Sequence, residues 1–178
     1  MLDKKADMTQ PDGAQDWRAV YICSAARCGS TFTDMFLGGH SRAASLGEIN
    51  FLGKEVAQGQ ACACGVAVKD CGHWNRVFDE LAMLTGLDIR VQPYAFHLWD
   101  ALAWNGIDKR RQTPAFKLAV YLRKTWLELR RRSGSRLPLL PSQVLGLRNK
   151  IMLYETVARQ WGKQVVVDSS KNAREAVE

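Results

Sequence analysis

The feature that most constrains this chain is a short apolar run delivered straight into a turn of small residues. Ala19-Val20-Tyr21-Ile22-Cys23 is rich in β-branched and aromatic residues and predicts a buried strand. Ala25 to Gly29 form the turn that ends it. Ser30 or Thr31 is placed to cap a helix running through Phe32, Met35, Phe36 and Leu37, and Gly38-Gly39 stops that helix. Small residues in such a turn let backbone amides approach an anion, and the helix adds its unpaired N–H groups and positive dipole end. Gly29 permits close approach or an unusual φ. Arg27 brings a permanent charge whose fork suits phosphate or sulfate oxygens. Ser30 and Thr31 add hydroxyl donors. Strand, tight loop and helix thus read as an anion site.

Two common nucleotide motifs are excluded. The only Gly-Lys pairs, Gly53-Lys54 and Gly162-Lys163, are not followed by Ser or Thr, so the loop is not a Walker A sequence. A Gly-x-Gly-x-x-Gly fingerprint is also missing, which disfavours dinucleotide binding.

The rest of the chain reads mostly as helix. Ile49 to Ala57 follows the Gly47-Glu48 turn as a short helix, and Gln58 to Gly72 is a Cys/Gly loop. Trp74 to Leu84 is amphipathic, and Tyr94 to Trp104 is a further candidate helix. Pro114 to Arg132 carries Leu118, Leu122, Trp126 and Leu129 on one face. A Gly/Pro loop follows, and Ser142 is placed to cap a second long helix with a stripe of Val144, Leu147, Ile151, Tyr154, Ala158 and Trp161, ended by Gly162. Gln164 to Asp168 is a second buried strand, and Asn172 to Val177 starts another helix. This order predicts an α/β fold of three layers, a central parallel sheet with helices on both faces.

Charge and cysteines narrow the setting. The net charge of the 178 residues is +7, which favours anionic partners. The polar residues 1–16 lack the apolar stretch of a signal peptide and read as a flexible arm before a domain spanning 17–178. Five cysteines without a secretory signal read as reduced thiols, and the expected location is cytoplasmic. Cys62, Cys64, Cys71 and His73 have the ligand types for zinc, but the Cys-x-Cys spacing is tight and no Cys-x-x-Cys accompanies it. A compact Cys/Gly loop is the reading taken, with no metal expected. Lys117, Arg123, Lys124, Arg130, Arg131, Arg132 and Arg136 form a basic cluster suited to an acidic acceptor or an anionic membrane surface. No recognition motif or stacking platform for nucleic acid accompanies it.

The loop Ser24-Ala25-Ala26-Arg27-Cys28-Gly29-Ser30-Thr31, then His40 and Gly47-Glu48, resembles the opening of the Golgi-type and bacterial sulfotransferases, including tyrosylprotein sulfotransferases. Cys62-x-Cys64-Gly65 with Cys71 and Trp74 resembles a Cys/Gly segment of bacterial members. Val166 to Lys171 resembles their second strand and its ending. The resemblance spans Val20 to Lys171, with residues 78–140 alike only in being helical. It implies a P-loop nucleotide-kinase-like fold and use of 3′-phosphoadenosine 5′-phosphosulfate as co-substrate. It implies donor binding by Arg27, Cys28, Gly29, Ser30, Thr31 and Phe32. Glu48 is implied as the catalytic base, with Arg27 and Lys171 neutralising the leaving bisphosphate. The acceptor is a hydroxyl or amine of a small molecule, glycan, lipid or peptide. Family members grip the 3′-phosphate from a later strand, so residues 17–178 correspond to the N-terminal portion of such a domain. The residues alone leave two other readings open, a phosphotransferase with a divergent phosphate loop and a non-catalytic nucleotide-binding protein.

Overall fold

The computed structural model of the chain describes residues 16–24, 28–98, 113–134 and 136–170. The described residues form a mixed α/β structure with an open, three-stranded parallel sheet and five α-helices. The strands are β1 (Arg18–Tyr21), β2 (Ala43–Ser45) and β3 (Val165–Asp168), in the spatial order β1-β3-β2. Tyr21 lies in register with Asp168, and Ser45 with Val167. The helices are α1 (Ser30–Gly38), α2 (Leu52–Ala57), α3 (Gly72–Thr85), α4 (Pro114–Arg132) and α5 (Pro141–Trp161). A 3₁₀ turn, Ile49–Phe51, leads into α2.

Pleating assigns the two faces of the sheet, because residues in register on parallel strands share a side. Ala44 and Val166 join Leu153, Val157 and Phe78 in the main hydrophobic core, so this face meets α5 and, behind it, α3. Ser45 and Val167 lie on the opposite face. There the Ser45 hydroxyl donates to Asp34 of α1 at 2.6 Å. Travel from β1 to β2 and back to β3 runs in opposite directions across the sheet. Crossovers of one hand then deliver α1 and α5 to opposite sides.

The first strand departs from expectation. Arg18, Ala19 and Val20 are exposed, because the strand order leaves β1 at an edge. The buried strand is β3, whose Val166, Val167 and Asp168 are covered on both faces. The strand β2 has no sequence signal of its own: three small residues owe their conformation to pairing with β3.

Two capping expectations are also corrected. Ser30 is the first residue of α1 and is buried, and neither Ser30 nor Thr31 caps the helix: Gly29 precedes it at φ 87°. Ser142 lies inside α5. That helix begins at Pro141, and the Leu140 amide donates to Gln143 Oε1 at 2.8 Å. Proline fits the first helical turn, where its missing N–H would find no partner.

The stripe expected for α5 holds at Tyr154 and Ala158, which are buried, and fails at Val144 and Ile151. Val144 and Ile151 are exposed, while Gln143, Asn149, Lys150, Leu153, Tyr154 and Val157 are buried. Polar partners explain the shift: Asn149 Nδ2 donates to the His97 carbonyl at 2.9 Å, and Lys150 reaches Asp168. Of the candidate helix Tyr94 to Trp104, residues 94–98 form turns and irregular chain. The remainder lies outside the described residues, as does the start of a helix at Asn172.

In α4, Leu118, Leu122 and Leu129 are exposed. The loop returning from the helix partners its last turns: Trp126 Nε1 donates to Pro138 O at 3.3 Å and Arg130 Nε to Leu137 O at 2.9 Å. Among the described residues, no helix is long and apolar enough to cross a membrane.

Candidate anion site at the carboxyl edge of the sheet

All three strands end at the same edge, where open parallel sheets place their ligand crevices. Backbone bonds lace the ends together. Ile22 N–H donates to Asp168 O at 2.8 Å, Leu46 N–H to Val167 O at 2.9 Å, and Ser169 N–H to Gly47 O at 2.8 Å. Asn50 N–H reaches Ser170 Oγ at 3.2 Å. The end of β1 at Ile22, the Gly47-Glu48 turn and Ser169-Ser170 are therefore drawn together, although they are far apart in sequence.

Gly29 sets the geometry of the loop. Its φ of 87° is in the left-handed region, and an added Cβ would meet no atom within 4 Å, so open space faces the residue. Thr33 N–H makes the first bond back to Gly29 O at 3.0 Å. The amides of Ser30, Thr31 and Phe32 precede that bond and, by helix geometry, stand at the N-terminal mouth of α1. The glycine turn, the open space and the helix end fit a small anion. Thr31 is exposed. The Phe32 ring is also exposed and stacks on Phe36 with centroids 6.4 Å apart, so what Phe32 brings to the mouth is its amide.

Cys28 is exposed, and its thiol is held below the usual cysteine range. The Ser24 hydroxyl beside it is the main cause, with the Ser30 amide contributing. Arg27 and Lys171 lie outside the described residues. Glu48 is half-buried at the start of the 3₁₀ turn, directly after Gly47 at φ 65°. Its charge is felt by Glu55, whose carboxyl is raised by burial first and by Glu48 second.

Beneath the strand ends lies a polar network. Asp168 is 1% exposed. One of its oxygens accepts the Ser170 amide at 2.8 Å, which turns the chain out of β3. The other accepts the Tyr154 hydroxyl and lies 3.6 Å from Lys150 Nζ. Lys150 also sits 5.4 Å over the Tyr21 ring, tying α5 to the end of β1. On the α1 side, Asp34 is buried, and among the described residues its Oδ1 has no hydrogen-bond partner. Burial raises its pKa against the Ser45 donation, and the Asp168 charge adds to the rise. Sequence reading placed Tyr154 on an apolar stripe and passed over Lys150 and Asp34. The available signal was weak: Lys150 and Tyr154 are four residues apart and so share a helix face.

The other candidate clusters sort differently. Cys62, Cys64 and Cys71 converge, with all three sulfurs within 4.8 Å of one another. His73 is not among them: its Nδ1 lies 3.3 Å from Arg76 and its ring meets Trp161 edge-on. In the basic cluster, Arg131 and Arg132 both bond Glu128, whose pKa is pulled down to about 2 by Arg131 and then Arg132. A hollow of about 330 Å³ lined by Thr125, Glu128, Leu129 and Arg132 includes none of the strand-end residues. No family model, no curated protein and no solved structure matches this chain.

Proposed function

We propose that the chain binds 3′-phosphoadenosine 5′-phosphosulfate by its 5′ end at the mouth of α1 and transfers the sulfuryl group to a hydroxyl or amine. The observation that carries this reading is Gly29 in the left-handed conformation, turning the chain so that the first amides of α1 open at the carboxyl edge of a parallel sheet. The motif resemblance supplies the identity of the anion, and the finer fold, a P-loop nucleotide-kinase-like sulfotransferase fold, is part of the same proposal.

The chemistry asks for positioning and charge stabilisation more than for covalent help. Sulfuryl transfer moves negative charge onto the leaving phosphate. Amides of Ser30, Thr31 and Phe32, together with Arg27 and Lys171, neutralise it. Glu48 accepts the proton of the attacking hydroxyl or amine, from a turn tied to the Ser169 amide and the Ser170 hydroxyl. The exposed Leu118, Leu122 and Leu129 of α4, with its exposed Lys117, Arg131 and Arg132, offer a second surface, which we assign to an anionic membrane beside the acceptor.

The test is calorimetry with adenosine 3′,5′-bisphosphate, followed by a radiolabelled sulfuryl-transfer assay against a panel of acceptors. Arg27→Ala should weaken bisphosphate binding by about tenfold or more. Glu48→Ala should lower turnover by roughly a hundredfold or more with affinity nearly unchanged. Binding without transfer would reassign the chain as a nucleotide-binding protein. Phosphoryl transfer from ATP would reassign it as a phosphotransferase. No bisphosphate binding would remove the reading altogether.

A further inference from the structure

The loop between α2 and α3 has little of its own to hold it in shape. Its order comes from an isolated bridge between Ala61 and Ala67, a single 3₁₀ turn at Val68–Asp70, and two buried side chains, Val68 and Cys71. Three of its residues are cysteines, and the fold gathers them. The Cys64 and Cys71 sulfurs are 3.5 Å apart, and Cys62 completes a triangle whose edges are all within 4.8 Å. Sulfurs around a tetrahedral zinc at a Zn–S distance of about 2.3 Å lie about 3.8 Å from one another. The Cys64–Cys71 edge is close to that spacing, and the other two exceed it by no more than about 1 Å, so a small inward shift of Cys62 gives three corners of such a site.

The backbone fixes where the sulfurs sit. Cys62-Ala63-Cys64-Gly65 is a tight turn. Gly65 N–H donates to Cys62 O at 2.8 Å, and Gly65 takes φ 85° so that the chain doubles back and Cys62 N–H meets Val66 O at 2.7 Å. Cys71 immediately precedes α3, and the Asn75 N–H donates to its carbonyl at 2.8 Å, so the first turn of that helix holds it. Backbone bonds that fix the residues bearing ligand sulfurs orient those sulfurs, which is the support a metal site needs. Accessibility is graded across the triangle: Cys71 is buried, Cys62 half-buried and Cys64 exposed. The fourth corner thus faces solvent, and His73 is engaged elsewhere.

We propose that Cys62, Cys64 and Cys71 bind one zinc ion through three thiolates, with a water molecule at the fourth corner on the Cys64 side. Binding releases the three thiol protons to solvent and changes no oxidation state. The ion staples the turn at Cys62 to the N-terminus of α3, doing for this loop what a larger apolar core does elsewhere. The inference is independent of the sulfotransferase reading, and it departs from the expectation that the chain needs no metal.

The test uses the full chain purified under a phosphine reductant without chelator. Elemental analysis after gel filtration should find about one zinc per chain. Cobalt(II) added to the metal-stripped chain should give a thiolate-to-metal charge-transfer band and the intense visible bands of a four-coordinate site, abolished by added zinc. Cys64→Ser, at an exposed position, should keep the wild-type circular dichroism and lose zinc affinity by about tenfold or more. Cys23→Ser, exposed and outside the triangle, should retain the full complement. The proposal is overturned if the reduced wild-type chain takes up neither zinc nor cobalt. Undiminished zinc affinity in folded Cys64→Ser, or a Cys64–Cys71 disulfide in place of metal in freshly isolated protein, would overturn it equally.

Discussion

The Tyr154 hydroxyl of α5 donates to the carboxylate of Asp168 at the end of β3, and both residues are buried. This bond joins the main core to the edge where the strand ends meet. Tyr154→Phe keeps the ring and its edge-on contact with Trp17 but strips the carboxylate of a donor. It should cost about 1–3 kcal/mol in urea denaturation. Lys150→Met removes the ammonium from the same oxygen. The two changes should be coupled by roughly 0.5–3 kcal/mol in a double-mutant cycle, and strict additivity would dissolve the network into independent contacts.

Asp34 gives the chain a pH signature of definite sign. Burial, opposed by Ser45 and helped by Asp168, raises its pKa above 3.8, so the native state holds this proton more tightly than the unfolded chain. Its stabilising effect is complete below the unfolded value and falls as pH rises through the native one. Asp34→Asn cannot ionise. Stability measured by denaturant midpoint should shift in favour of the variant as pH climbs from about 4 to 7. Parallel pH profiles for the two proteins would refute the assignment.

Gly53 marks a close approach of backbones. An added Cβ would lie 2.2 Å from the Pro93 carbonyl oxygen and 3.1 Å from its carbon. No flexible side chain is available to yield there. Gly53→Ala should therefore lower stability by about 1–3 kcal/mol, although alanine is the better helix former. Thermal melting reads the effect, and an unchanged midpoint would mean that the two segments separate freely.

Gly29 separates conformation from space. Room for a methyl group exists, but φ 87° is strained for any L side chain. Gly29→Ala should lose about 1–2 kcal/mol of stability. It should also weaken adenosine bisphosphate binding by about tenfold, because relief of that strain rotates the first amides of α1 away from the mouth. Calorimetry showing wild-type affinity in the variant would detach the turn from anion binding.

Local chemistry was readable where it was decisive. Val165 to Asp168 form a strand as their β-branched run implies, α4 has the bounds set by Pro114 and the Ser133-Gly134 break, and Gly162 ends α5. Gly29 takes the backbone conformation that only glycine takes easily. Tertiary pairing decided the rest. Nothing in Ala43 to Ser45 marks a strand until β3 lies beside it. Hydrophobicity placed Val144 and Ile151 inward, whereas burial of Asn149 and Lys150 became favourable through partners far along the chain, at His97 and Asp168. The cysteine spacing argued against a metal, but convergence of the sulfurs depends on how the 58–72 loop folds back, which spacing does not encode.

The strand order has a consequence for synthesis. β1 and β2 never touch in the ladder and meet only through β3, which follows β2 by more than a hundred residues. Among the described residues, the emerging polypeptide has helices but no sheet until the ribosome has released Val165 to Asp168, and the Gly29 and Gly47 turns until then have no common edge to share. Such late, long-range closure is slow. Nascent chains halted before that point should remain open to proteases at both early strands, and a few further residues should seal them together in one step.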